Sequence, residues 1–408
     1  MPEPLSPLQR MGRGALAGIR VLDLAGPLAA FGTKLLADMG ADVIRIEPPE
    51  GDEFRRKGPF AGGLAHPETS VPFLVHNLNK RGVTLSLESE KGARLLRRLA
   101  AGAGVLVETA PPGWMAARGI GYEALSKLNP RLVYTAVTPF GQEGPHAHYR
   151  AGDLTCQAMG GALFLTGNPG ERPVRGGASP AEKMAGYVSA VATSVALFHQ
   201  VRTGQGQFVD VSAQDAIVAQ NEASLVNYAF TGFVRQRGGW RYPTTTCPAG
   251  IYPTTDGYVS IVASKPHQWT GLRDWIGDER LMKDEYMVEA TRFADRDYID
   301  PVVVEWTKTM TKSVLFHEGQ RRGVPIGQSM EPGESITDVH MRGYGYYAWA
   351  HHPMLGEYQV PGAPFPMTGT PWRFRRPAPL LGQHNAEIYG DIGVNSAELA
   401  ALRREGVI

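Results

Sequence analysis

The chain has 408 residues, 43% of them hydrophobic, which is enough to bury a large core and to divide into two or three domains. Its 41 basic and 40 acidic residues nearly cancel, so no positive field argues for a nucleic-acid partner. Two cysteines, Cys156 and Cys247, are too few for a disulfide framework and lack metal-ligand spacing, which fits a reducing cytoplasm. Residues 1–17 carry Pro2, Pro4 and Pro7 and no continuous apolar run, which reads against a signal or transit segment. No stretch approaches the ~20 apolar residues of a membrane span.

Residues 18–24 read as a short buried strand. A helix over 31–39 follows, with Leu35, Leu36 and Met39 on one face and Gly40 as its stop, then a strand over 41–47 closed by Pro48 and Pro49. The order recurs: Leu95, Leu96 and Leu99 in a helix, Val105 to Val107 in a strand, and another strand over 131–137. Strands alternating with helices predict βαβ units in a parallel sheet, whose ligands sit at the carboxyl ends of the strands. A long helix is predicted over 181–202, with Met184, Val188, Val191, Val195 and Phe198 forming one continuous apolar face and Gly204 as cap. Residues 207–211 alternate like a strand, and 215–233 reads as one long connecting helix. Near residue 235 the texture changes. Asp256-Gly257 marks a hairpin turn, and helices over 269–276 and between 286 and 323 complete a smaller domain. From His351 the chain reads as loop-rich, ending in a helix over 397–404.

The local motifs carry little chemistry alone. Gly102-Ala-Gly104 follows a helix and lacks the third glycine of a dinucleotide loop, so it reads as a turn. His351-His352 reads as a surface turn rather than a metal site. There is no Gly-x-Ser-x-Gly elbow, and Cys156 has no base partner in its local sequence. Asn77-Leu-Asn79-Lys80-Arg81 sets two amides and two cations before the apolar alternation Val83, Leu85, Leu87. Such a cluster either holds phosphate at a sheet mouth or is a solvated turn. Arg150-Ala-Gly-Asp153 precedes Gly160-Gly161, and Asp153 reads as a site carboxylate or, structurally, as a buried carboxylate or helix cap.

Several stretches in register resemble the class III coenzyme A-transferases: Leu35-Leu-Ala-Asp-Met-Gly-Ala-Asp-Val-Ile-Arg-Ile-Glu47, Asn77 through Arg81, Asp153 through Gly161 with Thr166-Gly167, Arg202 through Gln207, Asp256-Gly257, and Leu381 through Asn385. The resemblance covers about residues 18–408. It implies an α/β fold: a doubly wound, Rossmann-like large domain built from both chain ends (1–225 and 331–408) and a small α+β domain (226–330), with two protomers interlocked. It also implies covalent chemistry without a tightly bound cofactor. An ionised Asp attacks the acyl-CoA thioester, the CoA thiolate returns to give an enzyme thioester, and a carboxylic acid collects the CoA. A carboxylate is charged without an activating base, and glycine loops such as Gly238-Gly239 offer N–H donors to the oxyanion.

The sequence departs from that pattern where the nucleophile belongs. Counting back from Thr203 lands on Glu182, whose extra methylene moves the carboxylate by ~1.5 Å. A misplacement of ~1 Å costs about a hundredfold in rate. The Ala-Gly-Pro turn after the first strand is out of register, Glu88 replaces a phosphate-binding Lys, and Glu108-Thr109-Ala110 replaces Glu-Asn-Phe. By the resemblance, Asn77, Asn79, Lys80, Arg81, Arg118 and Arg150 are the expected contacts to CoA. A racemase of the family has a His where this chain has Gly152, so racemisation is not expected. Benzylsuccinate CoA-transferase of anaerobic toluene breakdown, with succinyl-CoA as donor, is similar in having two related subunits. The chain is therefore expected to be a non-catalytic subunit paired with an Asp-bearing homologue, with an active dimer using Glu182 as the alternative. Aromatics Trp240, Tyr242, Tyr344, Tyr346 and Tyr347 line an aromatic-acid pocket or, as the plainer expectation, are ordinary core and interface residues.

Overall fold

The computed structural model describes residues 14–242 and 245–408, so Pro2, Pro4 and Pro7 lie outside the described residues. The chain forms two compact units: residues 1–162, 176–222 and 340–408, and residues 163–175 with 223–339. The second unit thus extends beyond the 226–330 expected from sequence and includes the excursion 163–175, which the sequence reading assigns to the large domain.

In the first unit, β1 (Arg20–Leu24) leads into α1 (Pro27–Asp38), β2 (Asp42–Glu47) and the short helix α2 (Val71–His76). β3 (Arg81–Thr84), α3 (Glu90–Ala101), β4 (Val105–Glu108) and β5 (Val133–Thr138) follow. Then come α4 (Asp153–Met159), α5 (Pro180–Thr203) and β6 (Phe208–Ser212). All six strands are parallel, in the order β3-β2-β1-β4-β5-β6. This is the doubly wound arrangement, and the order reverses between β1 and β4, where a crevice opens at the carboxyl ends. β3, β4 and β5 are buried along their whole length, as the helix cover on both faces of a parallel sheet requires. The C-terminal segment closes the β3 edge. Asn385 accepts from Thr84 N at 2.9 Å, the Tyr389 hydroxyl donates to Thr84 O at 2.6 Å, and Ser86 N donates to Val407 O at 2.7 Å.

The helix α5 spans the predicted residues, but of its predicted apolar stripe only Met184 and Val188 pack against the core. Its buried side is mostly small or polar, Ala181, Ala185, Gly186, Ser189, Ala190, Thr193, Ala196 and Gln200, with Leu197 the one large apolar residue. Val191, Val195 and Phe198 are each 64% exposed, and Val201 is 69% exposed. Close approach to α1 decides the face. A Cβ at Gly32 would lie 2.5 Å from Gly186 O, and one at Gly186 3.0 Å from the Phe31 Cβ, so the helices cross backbone against backbone. In length and composition α5 is also the one described helix that could cross a bilayer, yet its buried Ser189, Thr193 and Gln200 mark it as a packed helix of this unit.

Two further expectations change. The predicted helix over 215–233 breaks into Ala213–Gln220 and Glu222–Thr231, with the Asn221 amide donating to Gly160 O at 2.9 Å. His351 and His352 lie not in a turn but in the hairpin strand Tyr347–His352, paired with Gly356–Pro361. The exposed His351 and buried His352 point to opposite faces, as strand alternation dictates.

The second unit carries the antiparallel sheet Ala249–Thr254, Gly257–Val262 and Ile326–Gln328. Helices Pro266–Ile276, Arg296–Thr307 and Lys312–Arg321 accompany it, and its core gathers Tyr252, Trp269, Tyr286, Ile299, Val303 and Leu315. The predicted Asp256-Gly257 turn is held by Asp256, which accepts from Lys312 N at 2.8 Å.

Gly32→Ala should force α1 and α5 apart and destabilise the first unit by about 1–3 kcal/mol, seen as a lower urea midpoint. An unchanged midpoint would show that the crossing relaxes freely.

Candidate active site

The site is organised by the start of α5. The first amides of a helix have no partner within it. Here Asp153, on α4, supplies one: its Oδ1 accepts from Ala181 N at 2.9 Å and Glu182 N at 3.3 Å. Its Oδ2 accepts from the Gln157 amide at 2.5 Å, and Gln157 Oε1 accepts from Gly176 N at 3.1 Å. Asp153 is therefore a cap that fixes α5 against α4, the second of its two sequence readings. Just ahead, Ala178 (φ 60°) and Ser179 (φ 50°) are both left-handed, two strained non-glycine residues in succession. Such strain gathers at functional sites.

Glu182 stands in the first turn of α5. Burial pushes its carboxyl above the ordinary value; Lys57 pulls it down, and the neighbouring charge of Asp153 pushes it up again. Lys183 beside it is drawn down by burial. Its ammonium lies against His76 Nε2 and 4.5 Å from the Phe31 ring centre. Burial and the field of Lys183 hold His76 at about 3, so its ring is neutral.

The crevice at the carboxyl ends of β1 to β4 is a cleft of about 630 Å³. Apolar residues make up most of its lining, and its charged residues are chiefly carboxylates: Glu47, Glu50, Asp52, Glu53, Glu88 and Glu108. Its one lining cation, Arg45, is taken by Asp23 and Asp52. Glu47 is held by Arg55 at 2.7 Å, and Glu88 by Arg118, whose guanidinium lies 3.7 Å over the Trp114 ring. Burial raises Glu108 to about 7, although Ala110 N and the Tyr134 hydroxyl favour its charged form.

The expected CoA contacts scatter. Lys80 is fully buried and donates to Asp23 at 2.8 Å, Thr33 at 2.9 Å and Asn77 at 3.1 Å. Asn77 donates in turn to Phe73 O at 3.0 Å. Asn79, in a left-handed turn at φ 64°, donates to Asp38 at 2.8 Å and accepts from Arg375 N at 2.7 Å. Arg81 is paired with Asp42 at 2.5 Å and Glu387 at 2.6 Å. Asn77, Asn79 and Lys80 direct side-chain donors into the fold, and Arg81 is held by Asp42 and the exposed Glu387. Lys80 turns inward to Asp23, on β1, a fully buried carboxylate that it shares with Arg45. Burial works against that carboxylate, but Lys80 and Arg45 outweigh it and hold it below the ordinary range. Arg118 is engaged with Glu88 at the cleft mouth, and Arg150 is exposed. Gly238 and Gly239 belong to the second unit, where Gly239 N donates to Gly167 O at 3.1 Å. Lys57, His76 and Lys183 escape sequence reasoning; the only signal is Lys183 standing next to Glu182.

A doubly wound sheet with a cleft at its switch point, and a capped helix presenting a carboxylate, is the frame on which CoA-transfer chemistry was expected. The chain matches CoA-transferase family III over residues 16–385 and belongs to that family. It is 34% identical over 401 residues to succinyl-CoA:(R)-benzylsuccinate CoA-transferase subunit BbsE of Thauera aromatica, covering 95% of this chain and 97% of that one. It is 33% identical over 398 residues to succinyl-CoA–D-citramalate CoA-transferase of Chloroflexus aurantiacus, covering 96% and 98%. A CAIB/BAIF family protein from Brucella suis shares the fold with a TM-score of 0.83 and 29% identity, over 93% of this chain and 100% of that one. The chain is thus of the CoA-transferase class, with acyl-CoA as the substrate of that class.

Lys80→Met should cost about 3–5 kcal/mol of stability by stranding buried charge, whether or not CoA is present. A loss confined to CoA affinity would contradict the structural role. The Glu108 carboxyl is held above its ordinary value of 4.5, so the folded state binds its proton more tightly than the unfolded chain. Its contribution is fully present below the unfolded value and is lost as pH rises through about 7. Glu108→Gln should therefore gain stability over the parent at about pH 8.5 and match it near pH 4.5, with a difference on the order of 3 kcal/mol in urea unfolding. Parallel pH slopes for the two proteins would refute this.

Proposed function

We propose that this chain is a non-catalytic subunit of a cytoplasmic CoA-transferase, paired with a homologous subunit that carries the catalytic Asp. The assembly moves CoA from an acyl-CoA, succinyl-CoA being the favoured donor, to a carboxylic acid such as benzylsuccinate. One observation carries the reading. The charged residues lining the cleft at the strand carboxyl ends are carboxylates apart from Arg45, and that cation is already committed, so the cleft disfavours the phosphates of a CoA molecule. Glu182 in place of Asp, with its carboxyl pushed up by burial, points the same way. The exposed apolar stripe Val191, Val195, Phe198 and Val201 supports a partner subunit, since so long a stripe is costly to leave in water. An interlocked arrangement of the two subunits would cover it. The named subunit BbsE among the relatives supports a heteromer, and the buried free thiols Cys156 and Cys247 suit a reducing compartment.

The second reading is an active homodimer with Glu182 as nucleophile. The strained Ala178-Ser179 pair ahead of Glu182 favours it, because that strain holds the carboxylate in place. A racemase is disfavoured by Gly152, which offers no base.

Incubation of the chain alone with succinyl-CoA and hydroxylamine separates the two readings. No Glu182 hydroxamate should form, and transfer should appear only when the Asp-bearing homologue is co-expressed. Label trapped on Glu182 in the chain alone, and abolished in Glu182→Gln, would overturn the non-catalytic reading.

A further inference from the structure

The register of the parallel sheet gathers a carboxylate and two rings on one face. Leu106, Tyr134 and Phe208 are neighbours across β4, β5 and β6, and Glu108 lies two residues beyond Leu106. Side chains two apart on a strand share a face, so Glu108 stands beside Tyr134 and Phe208, with Asp210 on that face as well. Tyr122, the first residue of the helix Tyr122–Leu128, adds a third ring. Its centre lies 6.1 Å from that of Tyr134 and 5.5 Å from that of Phe208, and the last two are 5.7 Å apart. The three rings and Glu108, with Met115 and Gln142, line a cavity of about 310 Å³ outside the strand-end cleft. That volume accommodates a small organic ligand.

Glu108 stands apart from the other buried carboxylates of the described residues. Asp23 is paired with Lys80, Asp38 with Lys34, Glu47 with Arg55 and Asp300 with Arg241. Glu108 has no ion pair among the described residues; it accepts from the Ala110 amide and, at 3.5 Å, from the Tyr134 hydroxyl. The cations of the adjoining cleft are committed, Arg45 to Asp23 and Asp52, and Arg118 to Glu88. The neighbouring charge of Asp210 opposes ionisation of Glu108. Every ionisable residue lining the cavity is an acid: Glu108, Glu123 and the phenols Tyr122 and Tyr134. Gln142 supplies a second observation. Its backbone N–H donates to Asp210 at 2.9 Å, but its buried Nε2 has no hydrogen-bond partner. A buried carboxylate calls for a cation, ring faces attract the same cation, and a buried donor calls for an acceptor.

We propose that this cavity binds an organic amine: the ammonium on Glu108, the apolar body against Tyr122 and Phe208, and an oxygen of the ligand accepting from Gln142. Such a ligand is opposite in charge to the acids and acyl-CoA of the transfer reaction, so the cavity is an effector site, separate from the transfer chemistry. Glu108 also lines the strand-end cleft, and the occupant therefore sets the charge on the wall that the two cavities share. The site does not depend on which subunit carries the nucleophile.

Titration calorimetry on the full chain tests it, with phenylethanolamine and its uncharged counterpart phenylethanediol as probes. The amine should bind saturably and at least about tenfold more tightly than the diol. Glu108→Gln, which keeps the size of the side chain, should weaken the amine about tenfold or more and leave the diol within about threefold. Phe208→Leu, on a partly exposed ring, should weaken the amine about threefold. Gln142→Met should weaken amine and diol alike, because both carry the accepting oxygen. Equal affinity for the two probes, no saturable amine binding below about 10 mM, or unchanged amine affinity in folded Glu108→Gln would overturn the proposal. Amine binding that disappears once the homologous subunit is co-purified would overturn it too, by assigning the cation to the partner subunit.

Discussion

The carboxylate of Asp153 sets the geometry of the candidate site. By accepting two amides at the start of α5 while Gln157 holds its other oxygen, it locks α4, the Gly176 loop and α5 into one corner. A helix start otherwise leaves its amides to water. With the cap in place, Glu182 and Lys183 emerge at a fixed height, and the left-handed Ala178 and Ser179 lie between the Gly176–Gln157 bond and the Asp153 bonds to Ala181 and Glu182. The same cap adds negative charge beside Glu182 and so opposes its ionisation. One interaction both builds the site and weakens the carboxylate as a nucleophile.

A second constraint lies beneath the cleft. Asp23 on β1 is buried among Lys80, Arg45 and Thr33, so the cations that might have served a ligand are spent on the fold. Burying such a group of charges is favourable only when every member is paired. The charge that remains at the cleft surface is chiefly carboxylate, partly masked by Arg55 and Arg118. Under the proposed pairing, a homologous subunit with free cations there would complement this one.

Much of the large unit was legible from the sequence because its strands are short apolar runs separated by amphipathic helices and glycine stops. The start and end of α5 were legible for the same reason. Its orientation was not: periodicity finds an apolar face, but here the Gly186 and Ala185 face is buried, because only small side chains let α5 approach α1. The break at Asn221 depends on a carbonyl 61 residues away, and the inward turn of Lys80 on a carboxylate 57 residues away. Nothing local encodes either. Asp153 stood as site carboxylate or cap, and only the position of the α5 amides decides between them. Lys183 and His76 are 107 residues apart, and no spacing rule brings them together.

The central claim is that this subunit does not itself hold CoA. Titration calorimetry of CoA into the purified chain, with Glu88→Lys alongside, addresses it directly. The parent should show no saturable binding below about 1 mM, and Glu88→Lys, which frees Arg118 and adds a cation, should bind at least about tenfold more tightly. Micromolar binding by the parent, unchanged by Glu88→Lys, would contradict the claim.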